Sequence, residues 1–142
     1  MRTNWGTVKT RRVTIGGVGV AGCDFNFVTA LNQNEQPIDL GEMFPAKSVP
    51  LHVFLHTDAV FTGAITMVAD VGLTTGSAEF IASATIYATA AVLAPAAGGV
   101  PYVPPLAVHQ HVWVNATPGA NWNLVTAGVV SVYVTYIDVT NL

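Results

Sequence analysis

Val129-Val130-Ser131-Val132-Tyr133-Val134-Thr135-Tyr136-Ile137-Asp138-Val139 is the clearest strand pattern in the chain. Val130, Val132, Val134 and Tyr136 alternate with Ser131, Tyr133 and Thr135. Successive side chains of a strand point to opposite faces, so the pattern predicts one long strand with an apolar face and a mixed one. Asp138 shares the parity of Val134 and Tyr136 and is read as the point where the strand leaves the core. Upstream, Asn121-Trp122-Asn123-Leu124 and the Thr126-Ala127-Gly128 turn lead back to His111-Val112-Trp113-Val114-Asn115, a shorter alternating stretch closed by Thr117-Pro118-Gly119. The two stretches are expected to pair as a hairpin-like unit.

Working further outward, strands are expected at Arg12–Ile15, Asp24–Ala30, Val49–His56, Gly63–Val71 and Phe80–Ala88, separated by turn chemistry such as Thr74-Thr75-Gly76-Ser77. Apolar residues at helical spacing are almost absent, whereas Val and Thr, which fit pleated half-buried surfaces, recur throughout. About seven short strands at this spacing predict an all-β chain, a β-sandwich or jelly-roll-like single domain. Two segments interrupt the pattern. Asn32–Pro50, with Pro37, Pro45 and Pro50, reads as an extended excursion, and Ala94–Pro105, with four prolines and Gly98-Gly99, reads as a loop. Within that loop Val100, Tyr102 and Val103 offer an uncharged apolar surface suited to touching another chain; the alternative is a loop folded over its own core.

The composition bounds the function. The chain has 142 residues, 51% hydrophobic and 9% charged, with a net charge of −3. Soluble domains carry about a quarter charged residues, so much of this surface is neutral or covered by partners. Disorder is excluded, because a disordered chain needs low hydrophobicity and high charge, and so is a generic basic nucleic-acid binder. Arg2, Lys9, Arg11 and Arg12 crowd the first twelve residues, and after Lys47 nothing basic follows. This predicts a basic N-terminal arm over residues 1–22 on a β-sandwich domain over residues 23–142. The arm either docks on an acidic surface or is a solvated terminus.

Neither suspicious apolar run reads as a targeting or membrane segment. Val13–Val20 before Cys23 holds Gly16, Gly17 and Gly19, which weaken a helix. Ile81–Val100 lacks charge but contains Pro95, Gly98 and Gly99 and has no flanking Lys or Arg, so no membrane is expected. Cys23 is the single cysteine and cannot close an intrachain disulfide.

Histidine supplies the only tempting chemistry. His52 and His56 would stand about 13 Å apart along a strand, too far to share a metal, while His109 and His111 are spaced about half that. The second pair resembles the His-x-His of cupin metal sites, yet Val112-Trp113-Val114-Asn115-Ala116 supplies no glutamate as third ligand. A metal site needs at least three protein ligands, so no metal and no cofactor are expected, and the histidines are read as half-exposed strand residues. There is no Gly-x-Ser-x-Gly elbow, Walker loop or Cys-x-x-Cys, and the Gly16–Gly22 run precedes no helix that could hold phosphate. Asp58, Asp70 and Glu79 are not spaced as an acid–base pair. No catalytic residue is assigned, and an enzyme is not expected.

Val49-Pro50-Leu51-His52-Val53-Phe54-Leu55-His56-Thr57-Asp58-Ala59-Val60-Phe61-Thr62-Gly63-Ala64, followed by Asp70-Val71-Gly72, resembles small virion proteins of tailed bacteriophages. Trp113-Val114-Asn115-Ala116-Thr117-Pro118-Gly119-Ala120-Asn121-Trp122, then Leu124–Gly128 and the final Val- and Tyr-rich strand, extend the resemblance over residues 48–142. What the resemblance implies is a capsid decoration, or cement, protein: a sandwich on the outer capsid surface, bound to the major capsid protein and to itself as a homotrimer. Under that reading Arg2, Trp5, Lys9, Arg11 and Arg12 form a capsid-contact arm with Trp5 as aromatic anchor. Val100, Tyr102 and Val103 then form an oligomer contact, and no nucleic acid or membrane is a partner. The alternatives are a tail, head-fibre or spike component, and more remotely a cupin-like metalloenzyme using His109 and His111.

Overall fold

A computed structural model describes residues 6–63, 66–88, 91–92 and 106–139. They form nine strands: β1 Thr7–Gly16, β2 Phe25–Asn26, β3 Gln36–Asp39, β4 Ser48–Ala59, β5 Met67–Gly72, β6 Ile81–Thr85, β7 Ala91–Val92, β8 Trp113–Pro118 and β9 Val129–Asp138. A 3-10 turn spans Trp122–Leu124. One sheet has the order β2-β1-β9-β4-β7 and the other β3-β8-β5-β6. Their inner faces meet in one apolar core, with Ile15, Val53, Leu55, Val130, Val132 and Val134 from the first sheet and Met67, Ala69, Val71, Ile81, Val114 and Ala116 from the second. The all-β sandwich is therefore as expected from the alternation.

β9 is central because it pairs antiparallel along its length with β1 on one side and β4 on the other. Its alternation is clean for that reason: Val130, Val132 and Val134 are fully buried, while Tyr133 and Thr135 face outward and are half-buried. Thr57 keeps the inward parity of β4 and is buried, and its hydroxyl donates to the Ile86 carbonyl at 2.9 Å, so the polar group enters the core satisfied. The charge-free run expected to stay out of a membrane opens with β6, a strand of the second sheet.

The expected hairpin between residues 111–115 and 129–139 is corrected: β8 and β9 lie in different sheets. Both sides of β9 are occupied by β1 and β4, and β8 is flanked by β3 and β5. The chain between them crosses the sandwich, with Trp122 fully buried on the way. The excursion at residues 32–50 likewise contains β3 and the start of β4. Pro37 is tolerated there because β3 is an edge strand, where a missing N–H leaves no ladder bond unmade. The strand expected at residues 24–30 shortens to Phe25–Asn26.

Of the segment expected as an extended basic arm, Thr7–Gly16 is a ten-residue strand paired with β9 from Thr7↔Asp138 to Gly16↔Val129, so the strand expected at Arg12–Ile15 begins earlier. Its first six residues are exposed and its last two buried. The ladder needs only backbone, so polar and basic side chains continue the strand beyond the core without an apolar signal to reveal it. The Thr74–Ser77 turn forms as read, with Ser77 N–H donating to the Thr74 carbonyl at 3.2 Å. It is tied down by buried Asn115, whose Oδ1 accepts from Gly76 N–H at 2.8 Å.

Candidate functional site

Two clusters of titratable side chains stand out among the described residues, one on each sheet. The first lies on the outer face of the larger sheet, where β1, β9 and β4 bring Arg12, Ser131, Tyr133, His56 and Asp58 together. Arg12 Nη2 donates to Asp58 Oδ2 at 3.1 Å and Arg12 Nε to Ser131 Oγ at 3.0 Å. His56 Nδ1 lies 2.7 Å from Asp58 Oδ1, and the Ser131 hydroxyl donates to Asp58 Oδ2. The Arg12 guanidinium sits 5.7 Å from the Tyr133 ring centre, and Tyr133 stacks on Phe54 at 4.6 Å and 6°.

Ser, His and Asp are thus adjacent, but in an order that does not activate the serine. The carboxylate lies between hydroxyl and imidazole, whereas nucleophilic catalysis needs the imidazole between them. Ser131 is fully buried beneath its partners. The arrangement is a cross-strand brace.

Burial alone would raise the Asp58 carboxyl. The hydrogen bonds from Ser131, His56 and Arg12, with the Arg12 charge, outweigh it and hold the group below its ordinary 3.8. A depressed folded pKa adds stability that is complete above the unfolded value and is lost as pH falls through the folded one. Urea midpoints measured from about pH 6 down to about pH 2.5 are therefore expected to drop more steeply for the wild type than for Asp58→Asn. Parallel curves would show that the brace contributes nothing. Glu79 is also held low: burial opposes ionisation, but the Ser77 hydroxyl and backbone N–H groups, including that of Leu73, prevail.

The second cluster lies where the chain leaves β3 and approaches β8. One ligand atom each from Glu42, His109 and His111 lies within 4.8 Å of the other two. His109 Nε2 is 2.9 Å from Glu42 Oε1, and His111 Nδ1 is 2.8 and 2.9 Å from the two oxygens of Asp39. The His109 and His111 ring centres are 5.9 Å apart. Sequence spacing marked the two histidines but missed Glu42, which reaches them through tertiary pairing. Backbone bonds run from Leu40 N–H to the Val112 carbonyl and from Val112 N–H to the Gly41 carbonyl, and in both directions between Phe44 and Gln110.

His52 is separate from Glu42, His109 and His111 and packs at 5.3 Å on Phe54, the ring that Tyr133 stacks on.

The basic residues read as an arm are partnered where they are described. Lys9 Nζ pairs with Asp138 Oδ2 at 3.1 Å, Arg11 Nη1 donates to the Glu42 carbonyl at 2.7 Å, and Arg12 belongs to the brace. Arg2 and Trp5, and the loop residues Val100, Tyr102 and Val103, lie outside the described residues. Thr14 N–H turns away from β9 to Asp24 Oδ2 at 2.9 Å, and the Gly16 carbonyl accepts from Phe27 N–H at 3.0 Å. Alternation along an antiparallel strand turns the backbone groups of Val8, Thr10 and Arg12 to the same side. Among the described residues no strand covers them there, since β2 meets β1 only at Ile15 and Gly16.

Neither a protein-family model nor a curated protein sequence matches the chain. Among solved structures, a chain of the capsid of Ralstonia phage GP4 superposes with a TM-score of 0.66 at 20% identity, covering 99% of this chain and 90% of that one. A chain of the cyanophage Pam1 capsid asymmetric unit superposes with a TM-score of 0.60 at 21% identity, covering 96% and 89%. At these identities the likeness is one of fold. The likeness covers nearly all of this chain in both comparisons.

Proposed function

We propose that the protein is a virion structural protein: a decoration, or cement, protein that binds the outer surface of a phage head and bridges copies of the major capsid protein. The observation that carries this reading is the near end-to-end likeness to chains of two phage capsids. The low charge supports it, because 9% charged residues leave much neutral surface for contact with other subunits. Its own copies assemble as a homotrimer, so that weak contacts repeated on one particle add by effective concentration. The capsid contact is assigned to the segment holding Arg2, Trp5, Lys9, Arg11 and Arg12. Among the described residues, no strand flanks Thr7–Arg12 on the side away from β9, and an open edge binds an extended partner strand through main-chain hydrogen bonds.

Light scattering on the purified chain and co-sedimentation with undecorated capsids test the reading. A trimer, or a monomer that trimerises on the shell, with binding that weakens in high salt, is expected. Rings, tubes or absence of shell binding would overturn it in favour of a tail or fibre component. Deleting residues 1–12 is a poor probe, because residues 7–12 supply partners to β9. Val8→Pro is cleaner: it removes an outward-facing N–H while sparing the β9 ladder. Shell binding is expected to fall at least tenfold with the unfolding midpoint nearly unchanged, and unaltered binding would exclude β1 as the docking edge.

A further inference from the structure

We infer that Glu42, His109 and His111 form a binding site for a divalent first-row transition ion such as Zn2+, with Asp39 as positioning residue. The three side chains provide the two imidazoles and one carboxylate that suit such ions, and their ligand atoms already lie within 4.8 Å of one another. Metal–ligand distances of about 2.0–2.2 Å set tetrahedral ligand atoms about 3.3–3.6 Å apart. The 2.9 Å contact between His109 Nε2 and Glu42 Oε1 is close to that spacing. Glu42 is 56% exposed and His109 50%, so small side-chain rotations close the remaining distance and an ion can enter from solvent.

The proton bookkeeping is consistent with metal entry. A carboxylate only accepts, so the His111 Nδ1 held by Asp39 carries a proton, leaving the Nε2 lone pair for the ion. This is the carboxylate–histidine arrangement that orients metal-bound imidazoles. At His109 the single ring proton moves from the Nε2 that faces Glu42 Oε1 to Nδ1 by exchange with water, so the Nε2 lone pair and the carboxylate both face the ion. Water completes the coordination. Asp39 and Glu42 bring two carboxylates against one cation, Arg11, whose guanidinium donates to the Glu42 carbonyl and lies 5.9 Å from the Tyr136 ring centre.

The backbone holds this geometry before any ion arrives. The bonds linking Leu40, Gly41 and Phe44 to Gln110 and Val112 fix the two segments side by side, and Lys47 N–H to the Leu106 carbonyl, at 2.7 Å, extends the pairing. An ion there cross-links residues distant in sequence at the end of the smaller sheet, and clips that close long loops stabilise a chain most. Arg11 joins β1 to the same corner. The site therefore acts as a structural staple and does not depend on the virion role.

The test titrates ZnCl2 into the untagged chain by calorimetry and follows the visible absorption of Co2+ as a readout of coordination. One equivalent is expected to bind, with tetrahedral Co2+ bands and a Zn2+-dependent rise in the unfolding temperature. Glu42→Gln is expected to weaken binding at least tenfold, His109→Ala with His111→Ala to abolish it, and Asp39→Asn to weaken it about tenfold or more. His52→Ala, outside the cluster, should bind as the wild type does. Absence of binding, or binding unchanged by the Glu42 and His109/His111 substitutions, overturns the site.

Discussion

Trp122→Ala is expected to cost about 3–5 kcal/mol of folding stability, the range for deleting a large buried aromatic. Trp122 is fully buried, its ring centre lies 4.6 Å from that of Phe27, and Phe27 in turn meets Phe61 at 6.3 Å. The cavity left by the indole cannot easily collapse, because the turn that carries it is pinned. Trp122 N–H donates to the Asn32 carbonyl at 3.0 Å and Asn123 N–H to the Ala30 carbonyl at 2.9 Å. The indole N–H also donates to the Asn34 carbonyl at 2.7 Å, a partner that Ala removes. Against a total of about 5–15 kcal/mol, such a loss leaves a marginal fold. Urea unfolding measures it directly, and a loss below about 1 kcal/mol would show that the turn is not a keystone. Trp122→Phe separates the contributions, since it keeps an aromatic body and loses the indole donor, and a smaller loss is expected.

Gly128→Ala should be comparably damaging for a different reason. Gly128 has a φ of +111°, and a Cβ there would stand 2.5 Å from the Phe61 ring and 2.6 Å from its Cα. The left-handed conformation costs a non-glycine residue about 1–2 kcal/mol. Overpacking against a fully buried side chain adds about 1–3 kcal/mol. Neither can relax independently, because the Gly128 carbonyl accepts from Gly17 N–H at 2.9 Å and the next residue begins β9. Gly19→Ala is the control: its φ is +75°, but nothing lies within 4 Å of the added methyl. Only the conformational part should appear there. Equal losses at the two positions would show that the Phe61 contact contributes nothing.

These two positions show how the sequence was partly readable. Gly128 was legible as a turn before the last strand. Trp122 read only as part of a connection, because nothing in Asn121–Leu124 announces that the connection crosses the core. The same limit governs the polar clusters. Arg12, His56, Asp58 and Ser131 converge because β1, β9 and β4 are neighbours, and no local pattern brings them together. The strand under Lys9 and Arg11 was hidden, since exposed polar residues can extend a ladder without any periodic apolar signal.

The candidate metal site divides along the same line. The His-x-His spacing is a property of one short stretch, and it marked His109 and His111 as the only pair able to chelate. The residues that follow them in sequence supply no third ligand. It stands instead at Glu42, delivered by the pairing of residues 40–44 with 110–112.

Local sequence is enough to read an all-β chain with few charges, a long alternating strand from Val129 and a turn at Thr74–Ser77. Each of these follows from side-chain period and turn chemistry within a few residues. The pairing of β9 with β1 and β4 in place of β8, the place of β1 in the sheet and the meeting of Glu42 with the two histidines come from long-range packing. Strand partners are selected by burying all apolar faces at once against the entropy of closing the intervening loops, a balance over the whole chain that no local stretch records.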